Sequence, residues 1–238
     1  MLVRLATYNV KAFPWLSPPI RAIVQWITSQ SSADIVALQE IWCRHTVWAA
    51  AFAAAGWVFI RPAREHQTTG IFGSGLAIAW RRGSWKLTDA RFYPYLSAIG
   101  LDGLVTKGWF RVELTDPSGA PLRLINTHMQ SDYEVFDELW RPIAEPVRMA
   151  QAHQMTEVEG RQPPMPTLMV GDMNTEQCWF QGCTWLTAHA GPTFPGTGQI
   201  LDHCAAPVTL GWRLLGHRVC RECGDLSDHW PVIWWLER

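Results

Sequence analysis

Short apolar runs recur along this chain, and most of them end on a residue that carries a carboxylate, an amide or an imidazole. Asn9, Glu40, His128, Asp172, Asn174, Asp202, Asp228 and His229 all fall at or just past the ends of runs that read as buried strands. A random scatter of polar residues would not sort itself this way. Strands whose polar ends collect at one edge of a sheet build a polar, concave site on an apolar frame. That arrangement constrains the fold more than any other feature of the sequence.

The stretch "TLMVGDMNTE" shows the pattern at close range. Residues 167–170 read as a short core strand, and Gly171 permits a tight turn. Asp172 and Asn174 then emerge with their side-chain oxygens available. Two readings are open: polar atoms presented to a metal or a phosphate, or an ordinary Asx turn.

Further strands are expected at 2–10, 34–39, 57–61, 75–80, 85–93, 108–114, 122–127, 199–205, 209–215 and 230–236. A helix is expected at 18–31, with Ile20, Ile23, Val24 and Ile27 on one face. A second runs over 46–55 and stops at Gly56. A third spans 134–159, interrupted by Pro142 and Pro146. "TDPSGAP" reads as a hairpin turn. There is no internal repeat, low-complexity tract or linker, so one domain over 1–238 is expected. Many strands with a few interspersed helices imply a layered α/β protein.

At 238 residues and 48% hydrophobic, the chain has ample material for a core. Its net charge of −1 supplies no global basic field for nucleic acid, although a local patch around a cleft stays open. Fifteen tryptophans are a heavy load; most are expected in the core, with a few exposed where lipid headgroups could meet them. The longest helical apolar stretch, 48–55, is too short to span a bilayer. The N-terminal run lacks the features of a signal peptide. The expected location is cytoplasmic or peripheral to a membrane, or outside the cell if an export signal has been removed. The six cysteines are read as free or structural thiols, with disulfides, or zinc held by Cys178, Cys183, Cys220 and Cys223, as alternatives.

"TYNV" with Asn9, "IVALQE" with Glu40, "NTH" with His128, "GDMN" with Asp172 and Asn174, "ILD" with Asp202 and "LSDHWPV" with Asp228 and His229 follow one another in that order. The set resembles the endonuclease/exonuclease/phosphatase superfamily, over residues 5 to 233. The resemblance implies a four-layer α/β sandwich, two facing, mainly antiparallel β-sheets flanked by helices, and a divalent-metal-dependent phosphoesterase. It implies Mg²⁺, with Mn²⁺ as an alternative, held by Glu40 with help from Asn9 and with Asp228 as a further candidate. His229 becomes the general base, oriented by Asp202. Asp172 and Asn174 position water and phosphate, and His128 donates to a phosphate oxygen or the leaving group.

Three features are similar to the neutral sphingomyelinase branch. In "DGLVTKGWF", Asp102 precedes Lys107 and Gly108 at that branch's spacing, and Lys107 could bring a positive charge to the substrate phosphate. "NTHMQSD" supplies Gln130 two residues after His128. "VRMAQ" places Arg148 and Gln151 in the following helix, a pattern that also suits a structural role. Trp15, Trp109 and the "FPW" loop are candidates for lipid contact. The implied partner is a phospholipid or membrane surface. A deoxyribonuclease I-like nuclease acting on nucleic acid is the alternative, and a non-catalytic binding protein that kept the fold is the third. A monomer is favoured.

Overall fold

The structure, a computed structural model, describes residues 1–63, 73–132, 137–186 and 191–238. In chain order its elements are β1 (Leu2–Ala12), α1 (Ile20–Ser29), β2 (Ile35–Ile41), α2 (His45–Ala54), β3 (Trp57–Ile60), β4 (Ala77–Arg81), β5 (Lys86–Pro94) and β6 (Gly108–Thr115). They continue as β7 (Pro121–His128), α3 (Asp137–Gly160), β8 (Thr167–Asp172), β9 (Cys183–Trp185), β10 (Asp202–Pro207), β11 (Arg213–Val219) and β12 (Val232–Glu237).

The strands form two six-stranded sheets, ordered β11-β12-β1-β2-β4-β3 and β5-β6-β7-β8-β10-β9. Each sheet holds one parallel pair at its centre, β1/β2 in the first and β7/β8 in the second, and its other pairs are antiparallel. Central strands covered on both faces must be apolar on both. In β1, Val3 and Leu5 enter the core between the sheets, while Ala6, Tyr8 and Val10 pack with Ile23, Val24 and Ile27 of α1. In the second sheet, Leu122, Leu124, Leu168 and Val170 face the first sheet, while Ile125 and Met169 pack with Ala152 and Met155 of α3. Three apolar seams therefore separate four layers, as the sequence led one to expect.

Several boundaries differ from the expectation. The strand expected at 199–205 begins only at Asp202, because Thr193 Oγ1 accepts the amides of Leu201 and Asp202 and holds the preceding residues in a loop. The segment expected at 209–215 opens with a single 3₁₀ turn, Val208–Leu210, so β11 starts at Arg213. Helix α3 runs on with Pro142 and Pro146 inside it, each removing one amide donor without ending the helix. Residues 134–136 of that expected helix lie outside the described residues. The short strand β9 was not anticipated.

Cys43, Cys178, Cys183, Cys220 and Cys223 are free thiols. Cys178 and Cys183 pack beside the seam under α3, whereas Cys220 and Cys223 lie in the seam under α1. The two pairs sit on opposite outer sides of the sandwich, so the four-thiolate zinc alternative is corrected: these residues do not converge. Burial pushes the Cys220 thiol up to about 12 and Cys223 to about 11, as suits inert buried sulfur. Trp48, Trp57, Trp80, Trp109 and Trp234 are fully buried, so the core accounts for much of the tryptophan content. Trp109 is therefore not a lipid contact: it stacks on Tyr93 at 5.1 Å and its indole N–H donates to Glu159 at 2.8 Å. Among the described residues, no helix is long and apolar enough to cross a membrane.

Candidate active site

Period-two alternation builds the site. On the faces between the sheets, β1 presents Val3, Leu5, Thr7 and then Asn9; β7 presents Leu122, Leu124, Asn126 and then His128; β8 presents Leu168, Val170 and then Asp172. β10, running the other way, presents Ala206, Cys204 and Asp202. Each series changes from apolar to polar toward the same edge. Just below the site, a ladder of amides and a hydroxyl ties the two sheets together. Gln39 Nε2 donates to Thr7 Oγ1 at 3.0 Å and to Asn126 Oδ1 at 2.7 Å, and Asn126 Nδ2 donates to the carbonyls of Leu38 and Ala77, each at 2.9 Å.

Glu40 breaks the alternation. Ile35, Ala37 and Gln39 face the partner sheet, so a regular strand would send Glu40 to the helical side. Its φ of +60°, with a register shift between Asn9 and Ala12, breaks the regular strand there, and its carboxylate meets Asn9 in the site. A left-handed backbone at a non-glycine residue costs about 1–2 kcal/mol and persists only where the surroundings enforce it. At Gly171, with φ +147°, an added Cβ would lie 1.9 Å from the Thr127 carbonyl oxygen, so only glycine lets β8 approach β7 there.

Asn9 Nδ2 donates to Glu40 Oε1 at 3.1 Å and to Asp172 Oδ2 at 3.0 Å, while its oxygen accepts the Lys11 amide at 3.2 Å. Asn9 thus meets the two carboxylates through nitrogen and clamps them. His128 Nε2 stands 3.6 Å from Asp172 Oδ2 and 3.9 Å from Glu40 Oε1. His229 Nε2 is 3.6 Å from Asp172 Oδ2, and its Nδ1 is 2.8 Å from Asp202 Oδ2. Asp172 Oδ1 accepts the Asn174 amide at 3.0 Å, so the Asx turn of the sequence reading is present and also faces the site. Asn174, at φ +52°, donates its side chain to the Met129 carbonyl at 3.1 Å. Asp228 lines the cavity but pairs with Lys11 Nζ at 2.5 Å. Glu40, His128, Asp172, Asn174, Asp228 and His229 line one cavity of about 480 Å³, with Asp202 buried behind His229.

Asp102 and Lys107 do not reach that cavity's lining as a free charge. The Lys107 side chain is 1% exposed; its Nζ lies 3.2 Å from Asp102 Oδ1 and donates to the Met129 carbonyl at 2.9 Å. Asp102 Oδ2 accepts the Ser131 amide and hydroxyl at 2.8 and 2.9 Å. The pair braces the turn after His128, and neither a solvated lysine nor direct contact with a phosphate fits this burial. Arg148 and Gln151 brace the same turn, donating to the Gln130 carbonyl at 3.1 Å and accepting its amide at 3.0 Å. The sequence reading missed Thr193, which holds the Asp202 amide, and Phe194, whose ring lies 4.8 Å from that of His229. Neither carries a charge or a motif that would mark it.

Burial raises the Glu40 carboxyl to about 7 and that of Asp172 to about 6, against the opposing pull of nearby donors and charges. Burial, then the charges of Lys107 and His229, hold His128 well below its usual value, so it is neutral. Burial alone would also lower His229, but the charges of Asp202, Asp172 and Asp228 and the hydrogen bond to Asp202 outweigh it and raise it to about 10. Two carboxylates around one amide, both with their charge disfavoured by burial, are an oxygen donor set that suits a hard divalent cation. Asp172, Asp202 and His229 also bring ligand-type atoms within 4.8 Å of one another. His229 Nδ1 and Asp202 are, however, committed to each other, which leaves the Glu40–Asp172 side as the better fit for a cation.

A family model described as the Endonuclease/Exonuclease/phosphatase family matches residues 6–229. No curated protein matches the chain in sequence. Among solved structures, Staphylococcus aureus beta toxin (F277A, P278A mutant) with bound magnesium ions superposes with a TM-score of 0.78 at 15% identity, covering 99% of each chain. Sphingomyelinase C from Streptomyces griseocarneus gives 0.73 at 18% identity, again over 99% of each chain. D. rerio TDP2 complexed with single strand DNA product gives 0.72 at 15% identity, over 100% of this chain and 99% of that one. At such identities the likeness is one of fold.

Proposed function

Because the chain belongs to the endonuclease/exonuclease/phosphatase family of metal-dependent phosphodiester hydrolases, we propose that it cleaves a choline phospholipid of the sphingomyelin kind and releases phosphocholine. The observation that carries this choice is the lining of the cavity. Glu40, Asp132, Asp172 and Asp228 are on it, and among the described residues no lysine or arginine is. A nucleic-acid backbone needs basic groups along its path. A zwitterionic headgroup needs only its phosphate neutralised, and its ammonium can sit beside Asp132 and Asp228, whose charges Arg148 and Lys11 partly offset from outside the lining.

The residues divide the work as follows. A divalent cation held by Glu40 and Asp172, Mg²⁺ by expectation and Mn²⁺ as the alternative, would neutralise charge on a phosphate oxygen and offset the carboxylates that keep His229 protonated. Asn9 fixes the two carboxylates at a shared spacing. Asn174 and His128 border the phosphate, with neutral His128 able to donate from one ring nitrogen. His229 Nε2 takes the proton from the attacking water, and Asp202 keeps the other proton on Nδ1 and so sets the tautomer. The water oxygen bonds to phosphorus, the bond from phosphorus to the alcohol oxygen breaks, and the alcohol leaves with a proton from solvent. Lys107 and Asp102 act at a distance by holding the turn after His128.

The test is phosphocholine release from sphingomyelin dispersed in detergent, with Mg²⁺ and with a chelator. Metal-dependent release that disappears in His229→Ala is the expected result. A folded protein that releases none but nicks plasmid DNA with Mg²⁺ would overturn the lipid reading.

A further inference from the structure

Beside the catalytic cavity lies a second one, of about 350 Å³, lined by Phe13, Trp15, Trp42, Leu101, Leu104 and Val105. The two share Glu40, His128 and Ser131 as a common wall. One side is a row of rings: Phe13 stacks on Trp15 at 4.8 Å and lies 6.2 Å from Trp42. The other side is the 3₁₀ segment Gly100–Leu104. Its acidic member, Asp102, is already engaged by Ser131 and Lys107. The cavity therefore offers an apolar surface and little to read the edge of a base or sugar. Its rim stays open to solvent, with Trp15 68%, Leu101 66% and Leu104 46% exposed.

Position gives this cavity a use. In an in-line displacement the leaving oxygen departs opposite the attacking water. His229 lines the catalytic cavity with Phe194, Thr197 and Gln199, and all four are absent from the lining of the second. Attack from the His229 side directs the leaving group toward the Glu40–His128 wall, where the apolar cavity begins.

We propose that this cavity is the subsite for the hydrocarbon chain of the leaving alcohol, and that Leu101, Leu104 and the Phe13–Trp15–Trp42 row set the preference for it. The inference rests on the phosphocholine reading above. It makes the leaving alcohol the part of the substrate that the protein selects, with the catalytic cavity taking the headgroup and phosphate.

The experiment uses alkylphosphocholines from butyl to decyl, each kept as monomers below its micelle concentration, so that no lipid surface contributes. Phosphocholine release is followed with Mg²⁺. The expected result is a kcat/KM that rises about fourfold per methylene until the cavity is filled, the rate equivalent of ~0.8 kcal/mol for each buried CH₂. Leu104→Asp and, separately, Leu101→Asp should flatten that slope while the variants keep the wild-type circular dichroism spectrum. Equal rates along the whole series would overturn the subsite and leave the phosphodiesterase reading standing. So would a kcat/KM that falls as the alkyl chain lengthens, which would exclude the hydrocarbon from the cavity. Absence of metal-dependent hydrolysis of any choline ester would remove the functional reading itself, and the subsite with it.

Discussion

Nδ1 of His229 lies 2.8 Å from Oδ2 of Asp202, two residues 27 apart in sequence, one in the loop before β12 and the other opening β10. The contact leaves Nε2 as the ring nitrogen that faces the cavity. Asp202→Asn should keep the contact's size but lose its charge, and with it the fixed tautomer. A loss of about 10²–10⁴-fold in kcat is expected, and at least as much for His229→Ala. Turnover of bis(p-nitrophenyl) phosphate with Mg²⁺ measures it. An unchanged kcat in His229→Ala would remove the proton-accepting role.

Glu40 and Asp172 share the Asn9 amide, and burial holds both carboxyls above their usual range. Glu40→Gln keeps the hydrogen-bonding shape while deleting the charge. Mg²⁺ affinity, measured by titration calorimetry, should fall at least tenfold, roughly what loss of an outer partner of a metal ligand already costs. The rise in unfolding temperature that Mg²⁺ gives the wild type should shrink in parallel. An equal affinity in the variant would place the cation elsewhere.

His229 carries a raised value of about 10 in the folded, cation-free chain. An unfolded histidine titrates near 6.5. Between those values the folded state binds a proton that the unfolded state does not. The associated stability is complete below about 6.5 and is lost as pH rises through the folded value. The unfolding free energy should therefore fall by ~1.4 kcal/mol per pH unit between pH 7 and 8.5. Glu40, raised to about 7, adds to the same trend at the lower end of that window. Urea denaturation in chelator measures the slope, and His229→Asn should flatten it. A stability that rises with pH across this window would contradict the geometry.

Lys107 and Asp102 form a nearly buried ion pair behind the site. Lys107→Met removes the cation beside the Asp102 carboxylate, and breaking one side of a buried pair typically costs ~3–5 kcal/mol. Loss of turnover in this variant should therefore travel with loss of stability, read from urea midpoints. Gly108→Ala should behave alike, because its Cβ would meet the Tyr93 carbonyl oxygen at 2.3 Å. A Lys107→Met protein of wild-type stability but without activity would instead mean that the charge itself is used on the substrate.

Much of this was legible because alternation is a local property. The series Leu122, Leu124, Asn126, His128 already states which face turns polar and at which end, and so do those leading to Asn9 and Asp172. Where a residue departs from the alternation, the sequence misleads: Glu40 falls on the helical side by parity, and only the left-handed turn at that residue restores it. Partners distant in the chain were equally hidden. Nothing near Asp228 announces Lys11, nothing near Trp109 announces Glu159, and nothing near Asp202 announces that Thr193 will shorten its strand. Those outcomes are set by packing between layers, which no short window contains.

The Gln39–Asn126 ladder carries a last consequence. Asn9 and Glu40 belong to one sheet, and His128, Asp172 and Asp202 to the other. An apolar seam tolerates small slippage, since one greasy neighbour replaces another. Directional amide bonds do not, so the ladder works as an alignment pin that fixes the aperture between two independently built jaws. Replacing Asn126 with leucine would free the jaws to drift, and catalysis would fail on warming well before the molecule melted.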